Sequence, residues 1–534
     1  MTEKASPSSE PVRAAEVIAA TCLATDLGMG FPFEHGLHGT LMAMRLAGLL
    51  DVDPETESQT YYASLLMYSG CTTDVVVANR IFGGSRTKNI TPVQFGSMAE
   101  ALAGVIRALP SPDDPPLRRI YEVARRLVPA ARFSKPHFTA LCEVAEMMAK
   151  QLGLPPAVHD LFPYLTERWD GKGLLKRAKG EEIPLSIRIV QVARDAAYQR
   201  VIGGDDHAVE LIRQRSGHAF DPGIAGRFIE AASEIMAAAE VPGSAWEPTL
   251  TAEPRPWLTL EGEGIDRALA AIGDFADLVS PHLSGHSNGV AELAAAGARL
   301  CGFHPSDVAQ IRRAGLVHDV GRVAIDARIW QKSATLTVDE WEQVRLHPYH
   351  GERVLLRSPV LASLAEVACA HHERLDGTGY HRRALAAALP SGARLLAAAD
   401  AFHAMREPRP HRGELPPKEA AELLGAEARA GHLDSEMVAA VIEAAGQPAP
   451  PVERPAGLTE REAEVIGLLA RGLQTKQVAR RLGISVKTAD RHIQNAYRKI
   501  GVSTRAAATL FAMEHGLVPG RAAAGPRSVV DSPR

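Results

Sequence analysis

The chain is poor in aromatic residues and in cysteine. Phe, Trp and Tyr make up only 5% of its 534 residues, and its five cysteines show no Cys-x-x-Cys spacing. They are Cys22, Cys71, Cys142, Cys301 and Cys369. This scatter excludes a zinc knuckle and a disulfide framework and agrees with a reducing compartment.

Long apolar runs are also missing. Nowhere do about 18 apolar residues follow one another, the length that a membrane-spanning helix needs. The polar residues 1–11 contain no apolar segment after a basic start, so a secretory leader is not indicated. We therefore expect a cytoplasmic protein without a membrane partner.

What the chain has in abundance is alanine and other hydrophobic residues, which together make up 46% of it. Alanine-rich runs favour helices packed through small contacts over a β-sandwich, and no strand-like alternation stands out. At roughly 100–200 residues per domain, the length allows three or four domains. The predicted fold class is all-α.

Proline-rich stretches suggest where domains begin and end, because they cannot sustain a helix. The predicted segments are a disordered tail (1–13), a helical region (14–240), a Pro/Gly-rich linker (241–264), a second helical region (265–446), a Pro-rich linker (447–456), a basic module (457–518) and a disordered tail (519–534). The basic module holds ten Lys/Arg against five Asp/Glu, although the whole chain has a net charge of −4. This asymmetry suggests that the module binds nucleic acid.

The second helical region contains histidines and aspartates in an ordered series, of which the pair His318-Asp319 ends an apolar helical run. The series is His286, His318, Asp319, His347, His371, His372 and Asp400. Imidazoles and carboxylates are the ligands that a pair of first-row transition ions prefers. Isolated histidines, namely His304, His350, His403 and His432, are interpreted as surface or core residues.

The first helical region carries a degenerate copy of the second. Residues 167–173 match residues 373–379 at five of seven positions, with an offset of 206. By the same alignment His35 corresponds to His286 and Asp195 to Asp400. Tyr68-Ser69 replaces His318-Asp319, and Leu165-Thr166 replaces His371-His372. The first copy therefore cannot assemble a centre with two metal ions, and a structural or sensory role is expected.

These motifs resemble the HD-GYP domain, a branch of the HD-domain metal-dependent phosphohydrolases. The resemblance covers residues 265–445 and rests on Gly285-His286-Ser287, His318-Asp319-x-x-Arg322, His347-Pro348-x-x-Gly351, His371-His372-Glu373-Arg374-x-Asp376-Gly377-x-Gly379-Tyr380, Asp400 and Arg409-Pro-x-Arg412. It implies a helical fold, two iron or manganese ions and a phosphodiester substrate, of which cyclic di-GMP is the best known.

The resemblance also implies roles for individual residues. Asp319 would bridge the two ions, with His286, His318 and Asp400 on one ion and His347, His371 and His372 on the other. Two cations about 3.5–4 Å apart make a bridging water a hydroxide near neutral pH, ready to attack phosphorus. Arg322 would stabilise the charge on the phosphate oxygens. Further substrate contacts are expected from Asp376, Gly379, Tyr380, Arg409 and Arg412.

Three positions depart from the family pattern. Arg322 stands where Lys is typical, and His381 replaces the Pro of the Gly-Tyr-Pro signature. His282 occupies the place where some relatives have a glutamate for a third ion, so two ions are expected. Arg322 and His381 favour an alternative in which the domain binds metal and nucleotide as a sensor without hydrolysis.

The basic module has the punctuation of a helix-turn-helix. Thr459 and Glu462 form a capping box, Gly472 ends the first helix, Thr475 is predicted to cap the second, and Ser485 the third. The module resembles the LuxR-type DNA-binding domain, which implies four helices with the third in the major groove. The residues expected to contact double-stranded DNA are Lys487, Thr488, Asp490, Arg491, Gln494, Asn495 and Arg498.

Together these features predict a transcriptional regulator in which a phosphodiester ligand, bound or cleaved at the metal centre, alters DNA binding. Arg491 is expected to discriminate bases through a bidentate contact with guanine. A homodimer is expected, because two half-sites multiply affinity. A third alternative is a phosphohydrolase whose helix-turn-helix serves only for dimerisation.

Overall fold

The computed structural model describes residues 11–72, 95, 106, 115–449, 454–515 and 517 of the chain. Helices dominate these residues, and the one sheet found among them is a short antiparallel pair, Val12–Arg13 (β1) with Thr259–Leu260 (β2). The predicted all-α class is confirmed. Within the described ranges, no helix is both long and apolar enough to cross a membrane.

Short turns and 3-10 segments join the helices. Up to residue 251 the described α-helices are α1 (Ala14–Met29), α2 (His35–Leu49), α3 (Pro54–Leu66), α4 (Pro116–Gln151), α5 (Pro156–His159), α6 (Leu185–Arg215), α7 (Pro222–Glu230), α8 (Ala232–Ala238) and α9 (Trp246–Thr251). They are followed by α10 (Glu263–Asp277), α11 (His286–Leu300), α12 (Pro305–Val317), α13 (Ala327–Trp330), α14 (Val338–Arg345), α15 (His347–Leu355), α16 (Pro359–Ala368), α17 (Ser391–Met405), α18 (Pro417–Arg429) and α19 (Ser435–Ala444). The C-terminal helices are α20 (Glu460–Ala470), α21 (Thr475–Leu482), α22 (Val486–Lys499) and α23 (Arg505–Glu514).

The chain forms two compact units, and each is discontinuous in sequence. The first unit comprises Met1–Asn288, Leu316–Ala365 and Arg409–Gly413. The second unit comprises Gly289–Gly315, Glu366–Pro408 and Glu414–Arg534. The domain boundaries derived from the sequence follow motifs and proline-rich stretches rather than contacts, and they stay predictions.

Helix α1 lies at the centre of the first unit. Its sequence is apolar on every side, and nearly all of its residues are buried, including Ile18 and Leu23. A helix that is hydrophobic all round is typical of a buried core element. Helix α3 begins in the usual way for an exposed start, because the Asp53 carboxylate accepts hydrogen bonds from the amides of Glu55 and Thr56.

The expectation that the prolines and glycines of residues 241–264 exclude a helix is wrong. This segment contains α9 and the strand β2, and the indole of Trp246 is buried. Pro248 lies in the first turn of α9, where its missing N–H is not needed for the helix. Burial of Trp246 and Leu250 outweighs the local signal of the prolines and glycines.

The predicted N-terminal tail is also shorter than expected, because Val12 and Arg13 pair with β2. The rest of that tail, residues 1–10, lies outside the described residues, as do residues 450–453 of the predicted Pro-rich linker and the predicted tail 519–534.

The helices α20 to α23 share one apolar core. Its buried members are Leu458, Val465, Ile466, Leu469, Val478, Ile493, Ala496, Ala508 and Ala512. The capping box of α20 is present, since Thr459 N–H donates to Glu462 over 2.8 Å and Glu462 N–H donates to the Thr459 hydroxyl over 3.3 Å. Ser485 caps α22 as predicted.

The predicted cap of α21 is off by one residue. Its N-cap is Gln474, whose N–H donates to Gln477 Oε1 over 2.8 Å, and Thr475 is the first helical residue. Glutamine can replace a short capping side chain here because the residue three positions on also carries an amide that reaches back.

Candidate metal centre and nucleic-acid interface

The predicted pair His318-Asp319 directly follows α12 and precedes the 3-10 segment Val320–Ala324. Both side chains are fully buried. The 3-10 segment packs tightly against the start of α15, where a Cβ on Gly321 would collide with the carbonyl oxygen of His347. The glycine therefore lets two ligand-bearing segments approach closely.

Three predicted histidine ligands converge on the Asp319 carboxylate within the first unit. Their Nε2 atoms lie 3.4 Å (His286), 3.0 Å (His318) and 3.2 Å (His347) from its oxygens. The Arg322 guanidinium lies 2.7 Å from the same carboxylate. We refer to His286, His318, Asp319 and His347 as the Asp319 cluster.

The Asp319 cluster keeps its carboxylate ionised. Burial by itself would raise the pKa of Asp319, but the Arg322 guanidinium and the His318 and His286 imidazoles outweigh it and hold the pKa well below the usual value. A buried carboxylate that is charged at neutral pH is what a divalent cation requires of its ligand.

The orientation of His347 supports a cation in this place. Its Nδ1 lies 2.6 Å from the carbonyl oxygen of Val344, which can only accept, so Nδ1 carries the proton. In the neutral ring Nε2 then presents a lone pair to Asp319, 3.2 Å from a carboxylate oxygen. Two facing acceptors are reconciled by a cation that both coordinate, so the donor set fits a metal ion.

The second compact unit contains the other three predicted ligands. The rings of His371 and His372 lie 4.2 Å apart, and His372 Nδ1 is 3.6 Å from Asp400 on α17. His371 Nδ1 faces the Ala368 carbonyl oxygen at 2.6 Å, the same arrangement as in His347.

Two candidate ligands were missed. His403 was interpreted as an isolated histidine, yet its Nδ1 lies 3.1 Å from Glu407, and both side chains carry atoms that can bind a metal ion. The available signal was the spacing of four residues between His403 and Glu407 shortly after Asp400, although Glu407 lies just beyond the end of α17. Gly289 makes room for His403, because a Cβ there would collide with the imidazole.

Among the described residues, no group of three or more potential metal ligands includes His304, His350, His432 or His282. His304 lies next to the Ser306 hydroxyl at 2.7 Å, at the start of α12. His432 lies 3.6 Å from Asp376 and 3.0 Å from Glu427.

The predicted substrate residues fall into several environments. Arg322 is buried and its guanidinium lies 5.3 Å from the Trp330 ring. Tyr380 stacks on His372 with ring centres 4.3 Å apart. Gly379 is required because a Cβ would collide with the backbone of Glu373.

Asp376, Arg409 and Arg412 shape turns. The Asp376 carboxylate accepts hydrogen bonds from the amide and hydroxyl of Thr378, at 3.0 and 2.7 Å. Arg409 and Arg412 exchange backbone hydrogen bonds of 2.8 and 3.1 Å, which close a tight turn. Their roles in substrate binding stay predictions.

The first copy repeats the second in helix length and spacing. Helices α2 and α11 are 15 residues long, α3 and α12 are 13 residues long, and each pair is offset by 251. In the first copy Asp26 accepts from the Gly36 amide, and in the second Asp277 accepts from the Ser287 amide at the equivalent point.

This constant offset corrects the alignment of the HD pair. His318-Asp319 corresponds to Met67-Tyr68 rather than to Tyr68-Ser69, because no residue is inserted between the paired helices. Gly70 and Gly321 then also correspond, and each lies against backbone where a Cβ would collide. The conclusion that the first copy lacks these ligands is unchanged.

The counterpart of Asp400 is likewise one residue away from the predicted Asp195. Helices α6 and α17 both follow a proline and begin 206 residues apart. Arg188 pairs with the helix-capping Asp221 at 2.6 Å, and Arg394 pairs with the helix-capping Asp434 at 3.2 Å, so these two arginines, which are also 206 residues apart, occupy equivalent positions. Asp400 therefore corresponds to Arg194, and Asp195 instead pairs with Arg215.

Arg194 is buried in the middle of the first copy. Its side chain is only 1% exposed, donates to the Gly36 carbonyl oxygen over 2.9 Å and lies 4.9 Å from the centre of the Tyr68 ring. A permanently charged guanidinium thus occupies a position where the second copy has the predicted metal ligand Asp400.

The exposed face of α22 carries most of the predicted DNA contacts. Ala489, Ile493 and Ala496 are buried, which leaves a polar face on the opposite side. Lys487, Asp490, Arg491, Gln494 and Arg498 are exposed, and Thr488 and Asn495 are half-buried. The Lys499 ammonium donates hydrogen bonds to the Gly457 carbonyl oxygen and the Glu462 carboxylate, at 2.8 and 2.7 Å.

The helical fold, the buried His–Asp cluster and the polar helix α22 define an HD-type protein joined to a helix-turn-helix. Residues 271–437 match the HD domain family, and residues 456–512 match the family of bacterial regulatory proteins of the luxR type. The chain therefore contains an HD domain and a LuxR-type DNA-binding domain, and the predicted resemblance to these two families is confirmed.

Similar proteins are phosphodiesterases. The 3′3′-cGAMP-specific phosphodiesterase 3 of Vibrio cholerae is 26% identical over 411 residues, which are 75% of this chain and 88% of that protein. A cyclic di-GMP phosphodiesterase of Thermotoga maritima is 37% identical over 137 residues, which are 25% of this chain and 37% of that protein.

A solved structure shares the fold. The crystal structure of a cyclic GMP-AMP specific phosphodiesterase of Vibrio cholerae matches with a TM-score of 0.57 and 23% identity, over 82% of this chain and 98% of that one. The match extends well beyond the HD domain, and it agrees with a fold that contains both copies.

Proposed function

We propose that this chain is a transcriptional regulator whose HD domain hydrolyses a cyclic dinucleotide and whose LuxR-type domain binds double-stranded DNA. The proposal includes two divalent ions, iron or manganese, held as the sequence suggests. It also includes a homodimer on DNA and, because the chromosome must be reached, a cytoplasmic location.

The observation that carries the enzymatic part is the Asp319 cluster, a buried ionised carboxylate surrounded by imidazole nitrogens. Two cations bound there would supply Lewis acidity and an activated water for attack on a phosphodiester. Asp319 contributes the negative charge that concentrates cations, and the backbone carbonyl at Val344 fixes the His347 tautomer. Arg322 adds a positive charge that can stabilise the developing charge on phosphate oxygens.

The relatives support a cyclic dinucleotide as the substrate class. The substrates in their names differ in one base. Cyclic di-GMP and 3′3′-cGAMP both present two phosphodiesters in a ring. The rings of Tyr380 and His372, with centres 4.3 Å apart and planes inclined by 32°, offer an aromatic surface of the kind that binds a nucleobase. Discrimination between guanine and adenine would then depend on polar groups near these rings.

A turnover assay tests this proposal. Protein loaded with manganese or ferrous iron is incubated with each cyclic dinucleotide, and the linear product is separated by ion-exchange chromatography. Linear dinucleotide formed in proportion to enzyme and time is expected. Intact substrate after many equivalents of metal-loaded enzyme would exclude hydrolysis.

A second candidate function is a sensor that binds the cyclic dinucleotide without cleaving it. Arg322 favours it, because its guanidinium lies against Asp319 and over Trp330 and so is already engaged. In this case the same assay leaves the substrate intact, while equilibrium dialysis shows one bound nucleotide per chain.

We expect Arg491→Ala to weaken sequence-specific DNA binding by about 1–3 kcal/mol, or about 5- to 150-fold, because a bidentate contact to guanine is lost. Fluorescence anisotropy with operator DNA selected from a random library measures the effect. The matched control is Arg461→Ala, an exposed arginine on α20 that pairs with Glu464.

The oligomeric state of the Arg491→Ala protein is measured alongside by light scattering. Loss of DNA binding with an unchanged oligomeric state excludes the alternative in which the helix-turn-helix serves only for dimerisation. Unaltered specificity of the Arg491→Ala protein would instead remove this residue from base recognition.

Coupling between the HD domain and DNA binding is supported by contacts inside the second unit. Arg454, which precedes the DNA-binding domain, pairs with Glu436 on α19 at 2.8 Å. Helix α19 packs against α17, the helix that carries Asp400. The proposal is that this ion pair passes changes at α17 on to the DNA-binding domain.

Glu436→Gln is therefore expected to leave turnover unchanged and to reduce the effect of the cyclic dinucleotide on DNA affinity severalfold. Both quantities are measured with the full chain. The control is Glu422→Gln on α18, which is exposed and lies 3.9 Å from Lys418 of the same helix. An unchanged nucleotide effect in Glu436→Gln would rule out this route.

A further inference from the structure

Helix α15, which begins with the metal-ligand candidate His347, is held by a turn of the first copy. The turn is Phe31–Glu34, directly before α2. The guanidinium carbons of Arg353 and Arg357 lie 4.3 and 5.4 Å from the centre of the Phe33 ring. Arg357 also pairs with Glu34 at 2.9 Å. All these residues belong to the first compact unit.

Hydrogen bonds hold the Glu34 carboxylate in one position. Glu34 is buried, and its carboxylate accepts hydrogen bonds from the Ser244 hydroxyl and the Ala245 amide, both at 2.8 Å. Its φ of 71° lies in the left-handed region that side chains other than glycine rarely adopt. Such a conformation persists only where surrounding contacts over-determine it, so the turn is rigid.

A second contact fixes the end of α15. The Ser358 hydroxyl donates to the Glu16 carboxylate on α1 over 2.6 Å. Glu16 on α1 and Glu34 in the turn before α2 thus contact two adjacent residues, Ser358 and Arg357, just after the end of α15. The position of α15 along and around its axis is therefore set by the first copy.

The turn itself is anchored at the centre of the first copy. Both oxygens of Asp26 accept from the Gly36 amide, at 3.1 and 2.9 Å, and Arg194 donates to the Gly36 carbonyl oxygen. Phe31 packs on Tyr68 and Tyr198 with ring centres 5.3 Å apart in each case. Arg194 supplies the positive charge of this centre permanently, without a bound ion.

We propose that the first copy is a metal-independent brace that positions His347. Phe33 and Glu34 are its positioning residues, and they act on His347 through Arg353 and Arg357. This assignment deepens the proposed function and rests on it, since His347 matters as a metal ligand. The first copy can position His347 although it lacks metal ligands, because this role requires a rigid turn and no bound metal.

The test replaces both sides of the contact in the full chain. Arg353→Ala/Arg357→Ala and Phe33→Ala/Glu34→Gln are each expected to weaken manganese binding to the metal-free protein by about 10- to 100-fold, the range for loss of a residue that orients a ligand. Manganese affinity is measured by titration with electron paramagnetic resonance. The kcat for the cyclic dinucleotide is expected to fall while KM changes little, because substrate contacts remain.

Two further variants separate positioning from general damage. Arg357→Lys, made in an otherwise native chain, keeps the charge that faces Glu34. This variant is expected to retain most of the native manganese affinity. Arg345→Ala on α14 is the matched control, since this exposed arginine pairs with Glu342 and touches no residue of the turn. The temperature of unfolding is recorded for each variant.

Native manganese affinity in both double variants, or equal losses in Arg345→Ala and Arg353→Ala/Arg357→Ala, would overturn the brace. If the Phe33→Ala/Glu34→Gln chain does not fold, the partly exposed pair Arg353 and Arg357 decides. Failure of the proposed function is a different result: wild-type protein binds manganese and leaves the substrate intact, and the comparison of metal affinities still holds.

Discussion

Asp319→Asn is expected to lose at least one bound metal ion per chain and nearly all phosphodiesterase activity. The change removes the only negative charge of the Asp319 cluster while keeping the size of the side chain. Loss of a residue that merely orients a ligand costs about 10- to 100-fold in metal affinity, so loss of the charged ligand itself should exceed that range. Metal content by mass spectrometry and turnover of the cyclic dinucleotide measure the effect.

The Asp319→Asn protein is also expected to have a lower free energy of unfolding. Arg322 is buried and lies 2.7 Å from Asp319, so its charge loses its ionised partner. Removing one partner of a buried ion pair costs about 3–5 kcal/mol. DNA binding by the same preparation shows whether the DNA-binding domain remains folded, because its core is made of its own helices.

Asp326→Asn is the control. Asp326 lies seven residues after Asp319 and caps α13 through the Arg328 amide at 2.9 Å, a role that asparagine also fills. Full metal content and turnover are expected for this variant. If Asp319→Asn also keeps two ions with native affinity, Asp319 is not a ligand and the proposed site is wrong.

Features encoded within a few residues could be predicted from the sequence. The capping box of Thr459 and Glu462 and the cap at Ser485 require only local hydrogen bonds, and both are present. The His and Asp series belongs to a family motif, and within the first unit the members of the Asp319 cluster lie close together because each stands at or next to the end of a helix. Helix identity needed no tertiary information, since alanine-rich runs already favour it.

Features that depend on distant packing could not be predicted. The helix α9 forms in a stretch rich in proline and glycine because Trp246 is buried by other elements. The Gln474 cap depends on a glutamine amide that reaches back, which a preference for Thr hides. The importance of His403 depends on room provided by Gly289, which lies more than one hundred residues earlier.

The register of the repeat is the most consequential example. Few residues are identical between the two copies, so an alignment shifted by one residue has the same sequence similarity. Such a shift paired Asp195 with Asp400 in the sequence alignment. Arg188 and Arg394, each four residues after the proline that precedes its helix and each paired with a helix-capping aspartate, fix the register instead. The corrected register places Arg194 opposite Asp400, so a buried cationic side chain in the first copy stands where the second copy has a carboxylate.

Arg194→Met is expected to destabilise the first unit by about 3–5 kcal/mol, since it removes one partner of a buried charged network while keeping the side-chain volume. The Gly36 carbonyl loses its donor, and the opposite charge on Asp26 loses its compensation. Urea unfolding followed by circular dichroism measures the change. Arg213→Met, on the same helix but half exposed and paired with Glu210, should cost less than about 1 kcal/mol.

The pH dependence of this effect identifies its cause. Burial raises the pKa of Asp26 to about 7, against an opposing effect of Arg194, from a usual value of 3.8. An acid whose pKa is higher in the folded state stabilises the fold most at low pH, and that stability is lost as pH rises from about 4 through about 7. Without Arg194 the pKa of Asp26 rises further and this loss is larger. The stability difference between wild type and Arg194→Met is therefore expected to grow from pH 5 to pH 8, whereas a constant difference would mean that Arg194 acts through packing alone.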